Sequence, residues 1–335
     1  MSRFSNFALG ALLLALAAPA AFADDCKNRG DLDDAYCDEN RDLVADAPKD
    51  PKKFRNPSTL IFAYTPIEDP AVYQNLFGPF TEYLAACTAK KVVYFTVQSN
   101  AAEIEAMRAG RLHIGGFASG QTGFAVNLAG AVPFAIKGDG KGTRTYNQIV
   151  VVKASSPYQK LTDLKGKKVA HTSPSSNSGN MAPRALLPAE GLTPDKDYKV
   201  VYSGKHDQSL LGVMSGDYDA ATITSDIYDR FVNRGMIKAD DVRILFRSGP
   251  FPTSAFAYAH DLDPALAAKI SKCFTDYRFT AEMKKEFLGD DRFLPVSYKD
   301  DWLLVRKVAE ASGTPFNKTA YEREVAAEAK AAAKK

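Results

Sequence analysis

The chain has 335 residues, with 43 lysines and arginines against 40 aspartates and glutamates, for a formal charge of +3. So close a balance excludes the strongly basic surface that nucleic acid or an anionic membrane would call for. The length and the 45% hydrophobic content leave room for two domains with substantial cores. Cys26, Cys37, Cys87 and Cys273, and the histidines at 113, 171, 206 and 260, show no metal-ligand spacing, so neither a metal nor a cofactor is expected.

In chain order, residues 1–23 read as a secretory signal. Arg3 supplies the positive start, Phe7–Ala18 the apolar centre, and Ala21-Phe22-Ala23 the small residues of a cleavage site. The apolar run is shorter than the ~20 residues a spanning helix needs. Cys26 stands behind Asp24-Asp25 rather than directly at the cleavage point, so a lipid anchor is not expected. The mature chain is expected to be released into an oxidising compartment and to begin with an extension over 24–56. Four cysteines allow three pairings. The favoured one joins Cys26 to Cys37 as a small loop and Cys87 to Cys273 over a long separation.

From Leu60 the pattern alternates between strand and helix, which predicts an α/β protein with mostly parallel sheets. Strands are expected at 60–64, 92–97 and 113–117, with helices at 72–87 and 101–109 between them. A second series of strands follows at 147–153, 167–171, 199–202, 220–224 and 242–246. Gly- and Pro-containing connections, 138–143 and 248–253, flank that series. The chain thus leaves a first lobe, 57–145 plus 250–335, builds a second lobe over 146–249, and returns. Two such doubly wound sheets joined by a two-crossing hinge leave a cleft in which a ligand is trapped. The Ala-, Glu- and Lys-rich tail from Tyr321 can form a helix but shows little apolar face, and fraying is expected.

The segment Ser173-Pro-Ser-Ser-Asn-Ser-Gly179 lies between a strand-like run and a helix-like run that begins at Ala182. Hydroxyls and unpaired N–H groups at a helix start make a natural seat for a tetrahedral oxyanion. Ordinary N-capping by Ser176 or Ser178 is the other reading. On the first lobe, Tyr64, Ser119 and Thr122 fall at the C-terminal edge of the sheet, where ligands of parallel sheets bind. Tyr64 reads equally as a core tyrosine, and Thr122 as a helix cap. Tyr146 and Tyr258 flank the hinge and line either the cleft or the hinge packing.

With Ser203-Gly-Lys-His-Asp207, Gly216-Asp-Tyr-Asp-Ala220, Ile114-Gly-Gly-Phe117, Leu161–Lys168 and Gly249-Pro-Phe-Pro252, that turn resembles the phosphonate/phosphite-binding proteins of bacterial ABC importers. The resemblance runs from about Leu60 to about Ser297. It implies a type II-like periplasmic binding fold, the periplasm as the oxidising compartment, a phosphorus oxyanion as ligand, and an inner-membrane permease and ATPase as partners of a monomer. Ser176-Asn177-Ser178-Gly179 stands where the family has Ser-Thr-Ser-Gly, with asparagine replacing the threonine. His206-Asp207 matches the family's His-[Asp/Glu] step, with the imidazole N–H donating to an anionic oxygen and protonation strengthening that contact. Asp226 matches one of two acids that face the amine of aminoalkylphosphonates, while Ser254 occupies the place of the other. Asp226 also reads as an acidic residue at a helix start. The ligand set expected is therefore Tyr64, Ser119, Thr122, Ser176, Asn177, Ser178, His206 and Asp226. The alternatives are another oxyanion such as phosphate or a sulfonate, a sensing subunit for a membrane receptor, or an exported phosphoesterase. For that last class no base with an orienting partner is evident in the sequence.

Overall fold

A computed structural model describes residues 26–332; the signal expected over 1–23 lies outside the described residues. The strands are β1 (Thr59–Tyr64), β2 (Lys91–Tyr94), β3 (Ile114–Phe117), β4 (Ala131–Asp139), β5 (Gly142–Thr143), β6 (Thr145–Lys153), β7 (Lys168–His171), β8 (Lys199–Tyr202), β9 (Ala220–Thr224), β10 (Val242–Pro252), β11 (Ala255–Ala259) and β12 (Arg292–Pro295). Among the described residues they form two sheets. One has the order β12-β4-β11-β3-β1-β2, with β5 paired to β4, and the other has the order β10-β6-β9-β7-β8.

Both sheets are mixed, which corrects the expectation of mostly parallel strands. β1 runs parallel to β2 and β3, and β7 to β8 and β9. β11, β12, β6 and β10 pair antiparallel with their neighbours. The reason lies in the return of the chain: each lobe receives strands from both directions across the hinge.

The run Asn147–Lys153 shows why a continuous apolar strand needs cover on both faces. Ile149 and Val151 enter one apolar cluster with Leu210, Ile223 and Phe231, while Val150 and Val152 enter another with Leu164, Val169 and Tyr198. In the first lobe, Phe62, Phe77, Phe80, Phe256, Phe274 and Phe293 interlock, with ring centres 4.7–6.4 Å apart in pairs such as Phe80–Phe274 and Phe62–Phe256. Truncating one such ring to alanine costs ~3–5 kcal/mol.

Several elements differ from expectation. The helix expected over 72–87 is two helices, Pro70–Leu76 and Gly78–Thr88, and Pro79 sits in the first turn of the second, where its missing N–H does no harm. The helix that Thr122 is expected to cap begins three residues before it, as Ser119–Ala129, and every one of its residues is buried. The Gly- and Pro-bearing stretch 248–253, expected as a connection, is largely the end of β10, which pairs with β6 as far as Pro252 opposite Thr145. β10 is an edge strand, the position where proline's missing donor is tolerated. The tail is a helix, Lys318–Ala332, whose start is docked rather than frayed. Tyr321 is buried, donates from Oη to Ala101 O at 3.3 Å, and rests 5.5 Å from the Phe124 ring.

The cysteines pair as favoured. Cys26 is bonded to Cys37, and Cys87 on one helix to Cys273 on the helix Pro264–Asp276. The two lobes meet directly. His206 N–H donates to Ile67 O at 3.2 Å, and Asn100 Nδ2 donates to Ser175 Oγ at 3.1 Å.

Candidate functional site

Four helical segments begin at one point between the lobes. They are the helix Ser119–Ala129, the π-helical turn Asn177–Met181 that leads into Ala182–Leu186, the helix His206–Ser215, and the helix Ser225–Asn233. A cavity of about 40 Å³ lies at their N-terminal ends, lined by Ile67, Ala118, Ser119, Tyr146, Ser176, Asn177, Ser178, His206, Thr224, Asp226, Thr253 and Ser254. Converging N-termini bring unpaired N–H groups and positive partial charge to that point. Larger cavities lie elsewhere, of about 260 Å³ beside Asn100 and Lys205 and about 200 Å³ beneath the N-terminal loop. Neither gathers so many hydroxyls at helix starts.

The hydrogen bonds behind the cavity give its hydroxyls a direction. Thr224 N–H donates to His206 Nδ1 at 3.2 Å. A backbone N–H only donates, so Nδ1 holds the lone pair and Nε2 the proton. Nε2 lies 3.3 Å from Ser176 Oγ, which also accepts from Gly179 N–H at 3.1 Å. Both lone pairs of Ser176 are thereby engaged, and its own proton is left for the cavity. Gly179 is required there: a Cβ would stand 1.8 Å from Thr172 Oγ1. Burial, helped by the charge of Arg230, pushes the His206 imidazole down to about 3. It is therefore a neutral donor, and the expected strengthening by protonation does not operate in the physiological range.

Of the expected ligand residues, Ser119, Ser176, Asn177, Ser178, His206 and Asp226 line the cavity, and two do not. Tyr64 stands one layer behind, in the aromatic core against Phe256; its Oη donates to Ser254 Oγ at 3.3 Å. Thr122 lies within its helix, whose N-cap is Ala118, and its hydroxyl donates back to the carbonyls of Phe117 and Ala118 at 3.1 and 3.0 Å, so it neither lines the cavity nor caps the helix. Ser119 faces the cavity, but its hydroxyl donates to Pro252 O at 2.5 Å. Asn177 Nδ2 donates to Tyr146 Oη at 2.9 Å, which brings Tyr146 into the wall; Tyr258 instead packs on Phe134. Asp226 is held by Arg144 at 3.1 Å and sits in the first turn of its helix. Ile67, Ala118, Thr224 and Thr253 join the wall without having been expected there. Thr224 follows the rule applied to Tyr64, since it closes the parallel-paired strand β9 at its C-terminal end.

Comparison with known sequences decides the family. The profile of the periplasmic substrate-binding proteins of phosphonate ABC transporters matches residues 62–302. The chain belongs to this family. It is 28% identical to the phosphate-import protein PhnD of Mycolicibacterium smegmatis over 65% of this chain and 71% of that protein. It is 26% identical to the phosphonates-binding periplasmic protein of Escherichia coli over 75% of this chain and 78% of that one. Two solved structures share the fold. The binding protein component of a Pseudomonas aeruginosa ABC phosphonate transporter superposes with a TM-score of 0.68 at 21% identity, over 82% of this chain and 98% of that chain. PhnD1 of Prochlorococcus marinus in complex with methylphosphonate does so with a TM-score of 0.68 at 18% identity, over 76% and 98%. As a phosphonate-family binding protein, the chain is the solute-capturing component of an ABC importer, and the site lies in its interlobe cleft.

Proposed function

We propose that the cleft captures a small phosphorus oxyanion whose substituent is no larger than a methyl group, such as phosphite or methylphosphonate. One observation carries this reading: four helix starts and the Ser176 proton converge on a cavity of only about 40 Å³. A cavity of that size admits only a few water-sized groups, which suits a tetrahedral head and one small group. An aminoethyl tail finds neither room nor partners. Ser254 stands where a second acid would be needed, and Asp226 is already engaged by Arg144. Ser176, Asn177, Ser178 and Ser254 supply the donors, together with backbone N–H groups at the helix starts, while His206 donates to Ser176 Oγ and so turns that hydroxyl's proton to the ligand.

The Ser176–His206 pair superficially resembles a hydrolytic dyad. Nε2 carries its proton and Nδ1 accepts from a backbone N–H, so the ring donates and cannot act as a base toward Ser176. The protein binds and releases its ligand unchanged, and passes it as a monomer to a permease with a cytoplasmic ATPase.

Titration calorimetry with phosphite, methylphosphonate, 2-aminoethylphosphonate, phosphate and sulfate tests the proposal. Phosphite or methylphosphonate is expected to bind tightest, with 2-aminoethylphosphonate at least ~100-fold weaker because its ammonium is buried without a partner. Tightest binding of 2-aminoethylphosphonate would overturn the reading.

A further inference from the structure

Lys137 is a buried cation with no part in the site described so far. It lies near the end of β4, opposite Phe293 of β12, and is 4% exposed. Its Nζ stands 4.6 Å from the Phe287 ring centre and 5.1 Å from that of Tyr64. Among the described residues no carboxylate comes within 4.0 Å of it. Asp290 is near enough to feel its charge but lies beyond ion-pair reach. Nζ donates to Tyr64 Oη at 2.6 Å.

An ammonium has three donors and no acceptor. The Tyr64 oxygen must therefore accept from Lys137, which turns the phenol proton toward Ser254 Oγ, 3.3 Å away. Ser254 lines the cavity, and since its oxygen accepts from Tyr64, its own proton is left for whatever the cavity holds. The direction of this chain is imposed from its buried end. Without a cation at 137, Tyr64 and Ser254 are free to reverse, and Ser254 then turns a lone pair toward the ligand.

We infer that Lys137 is a positioning residue of the anion site: acting through Tyr64, it holds the Ser254 hydroxyl as a donor and sets a positive charge two hydrogen bonds behind that hydroxyl. The inference rests on the oxyanion reading of the cavity. It accounts for a wall that holds neither lysine nor arginine yet takes an anion. A lysine in the wall would act as a strongly hydrated point charge, whereas a hydroxyl backed by one keeps the directionality of a single donor.

The test is calorimetry on the disulfide-intact mature protein with methylphosphonate, phosphite, phosphate, sulfate and methanesulfonate. Wild type is compared with Lys137→Met, Lys137→Arg, Tyr64→Phe and the Lys137→Met/Tyr64→Phe double variant. The ¹³Cζ shift of Tyr64 is recorded without ligand in each protein that retains the tyrosine. Lys137→Met is expected to weaken whichever anion the wild type binds by roughly tenfold or more, and Lys137→Arg to recover part of that loss. Tyr64→Phe should weaken binding as well, and the double variant by less than the product of the singles, because both break one chain. The Tyr64 signal should move in Lys137→Met. A wild type that prefers sulfate or methanesulfonate overturns the phosphorus reading while leaving the role of Lys137 standing. Affinity within twofold of wild type in Lys137→Met, or an unmoved Tyr64 signal, overturns that role. Should Lys137→Met fail to fold, unaltered affinity in Tyr64→Phe does the same, and should no anion bind, the Tyr64 signal alone decides.

Discussion

Two regions of the interlobe boundary solve opposite problems with opposite chemistry. On the proposed reading, the cavity meets its ligand with hydroxyls, oriented in part by a neutral imidazole, and with helix starts. A short way along the same helix, Ser225–Asn233, the lobes are joined by charges. Glu68 binds Arg230 at 2.8 Å and Arg234 at 2.7 Å, and Arg234 reaches Glu286 at 2.5 Å. Tyr73 Oη donates to Glu68 at 3.1 Å and accepts from Arg230 at 3.2 Å. The Glu68 and Arg230 side chains are only 3% and 4% exposed. Burial would raise the Glu68 carboxyl, but Arg230 and Arg234 outweigh it and hold it below its ordinary range. A buried charge is tolerated when its partner is built into the protein. In the cavity the partner comes and goes, and water can satisfy a vacant hydroxyl far more readily than a buried, unpaired ammonium. Charge thus joins the lobes, and on the proposed reading neutral donors read the ligand.

The comparison breaks most visibly at Glu68. Glu68→Gln leaves Arg230 buried without its carboxylate, and a loss of ~3–5 kcal/mol of stability is expected. Denaturant unfolding measures the loss, and small-angle scattering of the ligand-bound protein should report a more open form. Wild-type values in both would show that the network is incidental to closure.

A smaller effect is expected inside the cavity. Ser176→Ala removes one donor to an anion, worth ~1.5–3 kcal/mol, or about 10- to 150-fold in Kd. Thr122→Ala should stay within about threefold of wild type, since that hydroxyl is engaged by two carbonyls. Equal losses at the two positions would erase the distinction between hydroxyls that face the ligand and those that bond back to their own helix.

The smallest effect per pH unit, read one group at a time, and the one that sharpens the comparison, is acid sensitivity. Burial, as the first cause, holds both His206 and His171 at about 3, against 6.5 for the ordinary group. The unfolded chain therefore takes up protons that the fold refuses, so stability is full above about pH 6.5 and falls as pH drops toward 3. Glu68, depressed below 4.5, adds a second loss that begins only below that value. Unfolding free energy measured against pH should show both stages. His206→Gln should reduce the slope of the first stage by about one proton, or ~1.4 kcal/mol per pH unit. A slope that His206→Gln leaves unchanged would show that this ring is not buried as described.

What the sequence discloses follows the same division. Ser176, Ser178 and His206 are legible because hydroxyls and an imidazole gathered where strands give way to helices can serve only as caps or as anion donors. Tyr64 is misplaced by the sequence because most of β1 is buried, as its pattern of intermediate, buried, intermediate and then three buried residues shows. Alternation then cannot say which face meets the ligand. The bounds of the helix Ser119–Ala129 escape notice for a related reason: buried all round, it has no polar stripe to give it a period. Glu68, Arg230, Arg234 and Glu286 carry no local signature, because their meaning lies in contacts up to 166 residues apart along the chain. Ser254 reads in sequence only as a missing acid, since a donor's direction is set by what stands behind it.

The hinge has a mechanical consequence. β6 and β10 pair as an antiparallel ribbon from Lys153 opposite Val242 to Thr145 opposite Pro252, interrupted by irregularities between Ile244 and Phe246 and between Arg247 and Pro250. Two strands laced together cannot slide past each other or swivel independently as loose loops would. The ribbon should flex as a leaf spring does, along one soft direction and stiff in the others, with its compliance concentrated around Ser248 and Gly249. Each opening then retraces the same arc, so the donors on the two jaws return to the same alignment each time they shut.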